Sequence, residues 1–314
     1  MSARIRTLLF QLAASIVVFV LVVREIQWRS VVTVLAGASI PGVLIGLVIF
    51  IAAWLLGAWK WESLARAVNA AAPRYGTFLM LYLIGQFYAM FVPGGLAVGE
   101  AVKMWRMRLH GSPVKMAWSV VADRLTGFIS LAVLGSLAYA TVAMIRHAPL
   151  AGIFAFVALA AGLVSVLAFA FPSVTDIIMG ALARITPARW RERLVALHEA
   201  LHAFHGVRGA VVRATVLGLL VHLAWAAAIW FAAGALSLPL SLTFAFWLYL
   251  CLGMALFIPI SYAGLGVREG VFVLVLRGIG VASSGALALA ALVLFYQSVV
   301  SAAGGILEVR AWGR

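Results

Sequence analysis

The sequence predicts an all-α polytopic membrane protein. About six full transmembrane helices and two re-entrant helical hairpins are expected, arranged as an inverted repeat; the alternative is eight transmembrane helices. Three observations carry this. The 314 residues are 66% hydrophobic and 10% charged, with a mean hydropathy of +1.14, a composition for which lipid is the natural solvent. Several apolar runs reach the roughly 20 residues that a helix needs to cross a bilayer. Two further apolar regions are broken by Pro and Gly, and each carries a glutamate.

The first run, Thr7–Val23, resembles a signal peptide but has no small-residue cleavage site directly after it. It reads as a retained first span, Ile5–Val23. Further spans are expected at Ile40–Trp59, Met116–Ile145, Leu150–Phe171, Val211–Ala235 and Ser283–Leu307. Trp54, Trp59 and Trp61 cluster near Lys60 as an aromatic belt at one interface would. The connection at about 172–209 places Trp190, Leu194, Leu197, Leu201 and Phe204 on one helical face. It reads as a cytoplasmic amphipathic helix lying on the headgroups.

The broken regions are Gly76–Leu109 and Leu240–Gly278. Each contains Phe-aliphatic-Pro followed by Gly-Leu-x-Val-x-Glu: Phe91 to Glu100, and Phe257 to Glu269. The return arms, Leu96–Leu109 and Gly264–Gly278, span only about 21 to 22 Å as helix, short of a hydrocarbon core of about 30 Å. Hairpins fit better than two extra spans. The chain then reads as one integral membrane domain over residues 1–314. Repeat unit one covers about 40–145, and unit two about 211–307.

Charge supports the same topology. The net charge of +14 comes from 23 Lys+Arg against 9 Asp+Glu, and the basic residues sit mostly between apolar runs. With a cytoplasmic N-terminus, the inner segments hold Lys60, Arg66 and Arg74, then Arg106, Arg108 and Lys115, the basic group from Arg184 to Arg213, and Arg310 with Arg314. The outer loops keep Arg24, Arg29, Arg146 and Arg277. That asymmetry follows the positive-inside rule. Nucleic-acid binding is not expected, because no basic domain lies outside the spans. The two hairpins enter from opposite sides, and inverted repeats with broken helices mark transporters.

Non-helical backbone at membrane depth survives only when buried in protein or lining water. Pro93 and Pro259 end the incoming helices. Gly95, Gly264 and Gly266 permit the turns. Each return helix then starts near the midplane with its positive dipole end there, a position that binds anions. Glu100 and Glu269 follow directly, and an acid at the helix centre costs about 2.5–3.5 kcal/mol unless it is neutralised or paired. Lys103, one helical step from Glu100, is its expected partner; Arg268 is next to Glu269 but projects differently. Asp123 and Arg124 lie early in the following span, and Tyr296 with Gln297 sit mid-span in the corresponding helix of unit two. Glycine packing and charge pairs that merely fix helix register are the structural alternative.

Other chemistries lack their parts. Cys251 stands alone, which excludes an intrachain disulfide and a cysteine metal cage. No HExxH, Walker loop or GxSxG is present. His198, His202 and His205 share a face at i, i+4, i+7, but flank an interfacial apolar stripe and read as amphipathic surface. His222, alone in a span, reads as a packed or hydrogen-bonded histidine. No metal, cofactor or catalytic residue is expected.

The blocks PGGLAVGEAVKMWRM, SVVADRLTGF and IPISYAGLGVREGVF together resemble the transmembrane domain of lysylphosphatidylglycerol synthases. That domain also occurs alone in a broad family of flippase-like membrane proteins, and the resemblance runs from Ile5 to Leu307. It implies translocation of a phospholipid or other phosphate-bearing lipid between leaflets of a bacterial cytoplasmic (inner) membrane. Carried onto matching positions, it makes Pro93, Gly95, Glu100, Asp123, Arg124, Gly264, Gly266, Arg268 and Glu269 the functional residues. The aminoacyl-transferase domain of the full-length synthases is not seen after the last span, so no enzyme activity of that kind is expected. In the favoured arrangement the hairpin tips meet in a polar groove. Arg268, with Lys103, Arg106 or Arg124, holds the lipid phosphate, and the two glutamates bind a headgroup cation or exchange a proton. The expected partners are membrane lipids with anionic or phosphate-bearing headgroups, and a second copy of the chain or a lipid-synthesis enzyme. An intramembrane enzyme acting on a lipid-linked phosphate and a scaffold or insertase-like partner are the competing readings.

Overall fold

Proline at the first helical positions and a long apolar run set the start and reach of the central helix. It follows a nine-residue helix, α1 (Trp28–Ala36), and is α2 (Ile40–Val68). The remaining helices are α3 (Tyr75–Phe91), α4 (Gly95–Met107), α5 (Pro113–Ile145), α6 (Pro172–Ile185), α7 (Arg191–His205), α8 (Arg208–Ala235), α9 (Leu242–Phe257), α10 (Val267–Arg277) and α11 (Ser283–Trp312). This computed structural model describes residues 28–69, 71–92, 95–110, 112–145, 156, 159–160, 162–167, 169, 171–187, 191–257, 264 and 266–312. No strand occurs among them. The span expected at Ile5–Val23 lies outside the described residues, and that at Leu150–Phe171 does so in large part.

Four helices among the described residues are long and apolar enough to cross a membrane: α2, α5 over Pro113–Gly135, α8, and α11 over Ser283–Ala311. These match four expected spans; α2 continues past its expected end at Trp59 to Val68, and the other three helices begin or end within a few residues of expectation. The chain is an all-α polytopic membrane protein. α2 and α8 form its centre and run antiparallel. Gly42 meets Ala235 near one end, the Phe50 and Trp225 rings lie 4.4 Å apart further along, and Gly218 approaches the Lys60 side chain. Most of the buried apolar surface gathers around this pair, with α9, α10 and α11 packed against it.

The two broken regions each form a pair of short helices. α3 and α4 lie antiparallel: Gly85 faces Gly99, Tyr82 lies under Lys103, and Phe78 shares a buried cluster with Met107. Gly99 has no room for a side chain, because a Cβ there would strike the Gly85 carbonyl oxygen. α9 and α10 pair in the same manner, with Leu256 against Gly264. The packing repeats between units. α3 packs on α2 as α9 packs on α8, and α4 on α5 as α10 on α11. Across the units, α11 packs on α3 as α5 packs on α9.

The connecting helices correct one expectation. Leu194 and Phe204 of α7 pack with Met179 of α6 and with Leu64, Ala122 and Ala214 of the spans. Leu194 and Phe204 of the expected stripe therefore face protein; Trp190 and the side chains of Leu197 and Leu201 lie outside what is described. The aromatic belt is corrected too. Trp59 is half exposed, but Trp61 is buried and its Nε1 donates to Ser119 Oγ at 2.9 Å. Trp54 packs edge-on against Tyr82 and Trp225.

Candidate functional site

Hairpin one brings five charged side chains together. The helical spacing of α4 puts Lys103 Nζ 2.8 Å from Glu100 Oε2. Arg124 of α5 gives its Nη2 to Glu100 Oε1. Asp123, one residue earlier, points the other way around α5 and meets Lys60 Nζ of α2 at 3.0 Å. The Lys103 ammonium also lies 4.5 Å from the Tyr82 ring centroid and 5.2 Å from that of Trp61. Three cations thus face two carboxylates, an excess of one positive charge. Lys60 and Asp123 are buried, whereas the Arg124 side chain is 42% exposed. A lone buried charge would be strongly destabilising, so each acid is offset by a cation. Along the helix axes the layer lies about 12 Å from the end of α2 and about 15 Å from the start of α5, at 1.5 Å per residue.

Hairpin two uses the same motif differently. Gly266 has φ +80°, and α10 begins only after it, at Val267. Glu269 therefore falls in the first turn, where its Oε2 accepts the Gly266 backbone N–H at 2.7 Å. The matching residue of unit one, Ala97, continues its helix from Gly95, which leaves Glu100 a full turn in and free to pair with side chains. Lys103 has Phe272 as its counterpart, buried in the apolar core. Arg268 is 3% exposed, and its Nε and Nη1 have no hydrogen-bond partner among the described residues.

The remaining expected residues divide. Gly95 starts α4 with φ +52° and Gly264 has φ +76°; Pro93 and Pro259 lie outside the described residues. Arg106 is not beside Glu100. Its Nη2 meets Glu308 Oε1 at 2.6 Å, and Tyr88 donates its hydroxyl to the same oxygen at 2.8 Å. Tyr296 is buried and donates its hydroxyl to the Val43 carbonyl at 2.8 Å, tying α11 to α2; Gln297 beside it is also buried. The described arms of one hairpin pack chiefly on the spans rather than on those of the other hairpin; the tips at 93–94 and 258–263 lie outside the described residues.

Sequence reasoning missed two participants, Lys60 and Glu308. Lys60 was expected at a cytoplasmic interface and instead sits inside the bundle on Asp123. Glu308, just past the expected end of the last span, anchors hairpin one. His222 is the hydrogen-bonded histidine that its lone place in a span suggested: it receives the Tyr249 hydroxyl at Nδ1 (2.8 Å) and gives Nε2–H to the Gly127 carbonyl at 3.1 Å, next to Lys60. A base inside an apolar run was the available signal for Lys60. Beyond this layer, a cavity of about 760 Å³ lies between the end of α2 and the start of α8, lined by Glu62, Arg66, His205, Arg208 and Arg213.

A family model described as the lysylphosphatidylglycerol synthase TM region matches residues 8–305. The chain belongs to this family. No match was found among curated proteins. The match takes in both hairpins, the charged layer around Glu100 and the Arg268 turn, and it concerns the membrane region of lysylphosphatidylglycerol synthases alone.

Proposed function

We propose that the protein moves a phospholipid or other phosphate-bearing lipid between leaflets, its headgroup passing through the polar interior while the acyl tails stay in the bilayer. The observation that carries this is Arg268. A guanidinium that is buried and short of partners is costly, and such a site is stabilised when an anion fills it. The start of α10 adds the positive end of a helix beside it. The net positive layer around half-exposed Arg124 offers a second stopping point for a phosphate.

The geometry also supports re-entrant hairpins and an inverted repeat. α4 and α10 would be only about 20 Å and 17 Å long, well short of a core of about 30 Å. The antiparallel α2 and α8, each the first span of its unit, favour units of opposite orientation, with an N-terminus on the cytoplasmic side of an inner membrane. Membrane lipids are the expected partners, without an aminoacyl-transferase activity in this region.

The test is lipid translocation in vesicles reconstituted with the purified chain and a tail-labelled anionic phospholipid. Arg268→Gln should lower the rate more than about tenfold, the equivalent of 1.4 kcal/mol in the barrier, while Arg268→Lys keeps part of it. Equal rates for wild type and Arg268→Gln would remove the proposed role. Headgroup release in detergent, where no leaflets exist, would instead favour an enzyme. Undiminished cellular function without Arg268 and Glu100 would favour a scaffold.

A further inference from the structure

The connection between the two units carries a side-chain constellation that lipid movement does not use. His198 and His202 stand one turn apart on α7, so their imidazoles share a face. Asp176 of α6 reaches the same point. Asp176 Oδ1 is 2.6 Å from His198 Nε2 and 3.0 Å from His202 Nε2, and the two nitrogens are 3.1 Å apart. The rings are nearly perpendicular, at 89°. All three potential ligand atoms converge on one small volume.

Hydrogen bonding alone serves this arrangement poorly. Both imidazoles would have to direct N–H groups at a single carboxylate oxygen, bringing two protons close together. A bound cation replaces both protons and takes two nitrogen lone pairs and one oxygen at once. With bonds of about 2.0–2.2 Å, a tetrahedral ion separates its ligand atoms by about 3.3 Å. The observed triangle needs to spread only slightly to meet that. The side chains are 38% and 54% exposed, so an ion can enter and water can complete the shell.

We propose that Asp176, His198 and His202 form a divalent transition-metal site, suited to zinc, that clamps α6 to α7. Two imidazoles and one carboxylate favour zinc and its neighbours over calcium or magnesium, which prefer all-oxygen shells. The clamp stiffens the link between the units at the ends of α2, α5 and α8, where Met179 and Phe204 already pack.

The test uses the full chain, purified without a polyhistidine tag and stripped with chelator. Zinc chloride is titrated against a chromophoric competitor. One ion should bind per chain, and cobalt(II) should give the visible bands of a tetrahedral site. His198→Ala and Asp176→Asn should weaken binding by more than about a hundredfold, the upper end of what outer-shell changes cost. Glu199→Gln, on the same helix, should leave it unchanged. Absent stoichiometric binding in wild type, or full affinity in a His198→Ala/His202→Ala variant, overturns the proposal. Should the variants not fold, the wild type decides. Bound zinc must shield His198 and His202 from carbethoxylation mapped by mass spectrometry, and equal labelling with and without zinc refutes the site.

Discussion

Replacing Glu100 by glutamine tests what holds the charged layer together. The carboxylate serves two cations of unequal burial. Arg124 is 42% exposed on its side chain and can turn to water, whereas Lys103 is 3% exposed. Without Glu100, Lys103 keeps only the Tyr82 and Trp61 rings. Stripping one partner from a buried pair costs about 3–5 kcal/mol, and the ring contacts recover about 1 kcal/mol of that. A loss of about 2–4 kcal/mol is therefore expected for Glu100→Gln. Lys103→Met should cost less than about 1 kcal/mol, because Glu100 retains Arg124 and an apolar side chain suits the site. The double variant should return close to wild type. Reversible unfolding in mixed micelles, followed by the fluorescence of Trp61 and its neighbours, reads all three. If Lys103→Met proves as costly as Glu100→Gln, or the double variant no better than Glu100→Gln, burial of Lys103 is not what Glu100 offsets.

Two glycines give further checks. Gly99→Val would drive a side chain into the Gly85 carbonyl and against Ala89 Cβ, 3.1 Å from the added Cβ position; a loss of about 1–3 kcal/mol is expected, read as a lower unfolding midpoint, and an unchanged midpoint would contradict the close approach of α3 and α4. Gly266→Ala forces an alanine to φ +80°, at about 1–3 kcal/mol, and should speed hydrogen exchange in the first turn of α10; unaltered exchange there would mean that Glu269 does not depend on this turn.

The membrane class, the four described spans and the Glu100–Lys103 pair were legible because each rests on local chemistry: hydropathy, length and one-turn spacing. The division between lipid-facing and protein-facing sides was not. In α2 both sides are apolar, so periodicity carries no face. Trp59, Lys60 and Trp61 are consecutive yet meet the protein surface, Asp123 and Ser119 respectively, since each residue turns about 100° around the helix. The same limit hid the split between Glu100 and Glu269. Their motifs match letter for letter at Gly-Leu-x-Val-x-Glu, but Gly266 stands where unit one has Ala97. One missing methyl delays the start of α10 and converts a pairing carboxylate into a cap. Arg106 was drawn away from Glu100 by Glu308, an acid far along the chain that no local spacing connects to it.

The two units thus repeat their packing and diverge in their electrostatics, and the divergence makes a charge-counting prediction. Hairpin one holds three cations and two acids; in hairpin two Arg268 lies beside Glu269 in sequence, with its Nε and Nη1 lacking hydrogen-bond partners among the described residues. Hairpin one therefore offers about one surplus positive charge, the complement of a single phosphodiester. If that surplus is what receives the headgroup, the total number of charges should not matter. Lys60→Met with Asp123→Asn removes one charge of each sign and leaves the surplus, and replacing a buried pair by neutral groups is often close to neutral for stability. Arg124→Gln removes the surplus while Lys103 still pairs with Glu100. Translocation in vesicles should survive the first variant within about a factor of three and fall more than about tenfold in the second, a difference of roughly 1 kcal/mol or more in the barrier. Equal effects, or the reverse order, would show that the layer acts as a structural clamp whose pairs matter individually, and the surplus charge would then have no part in moving lipid.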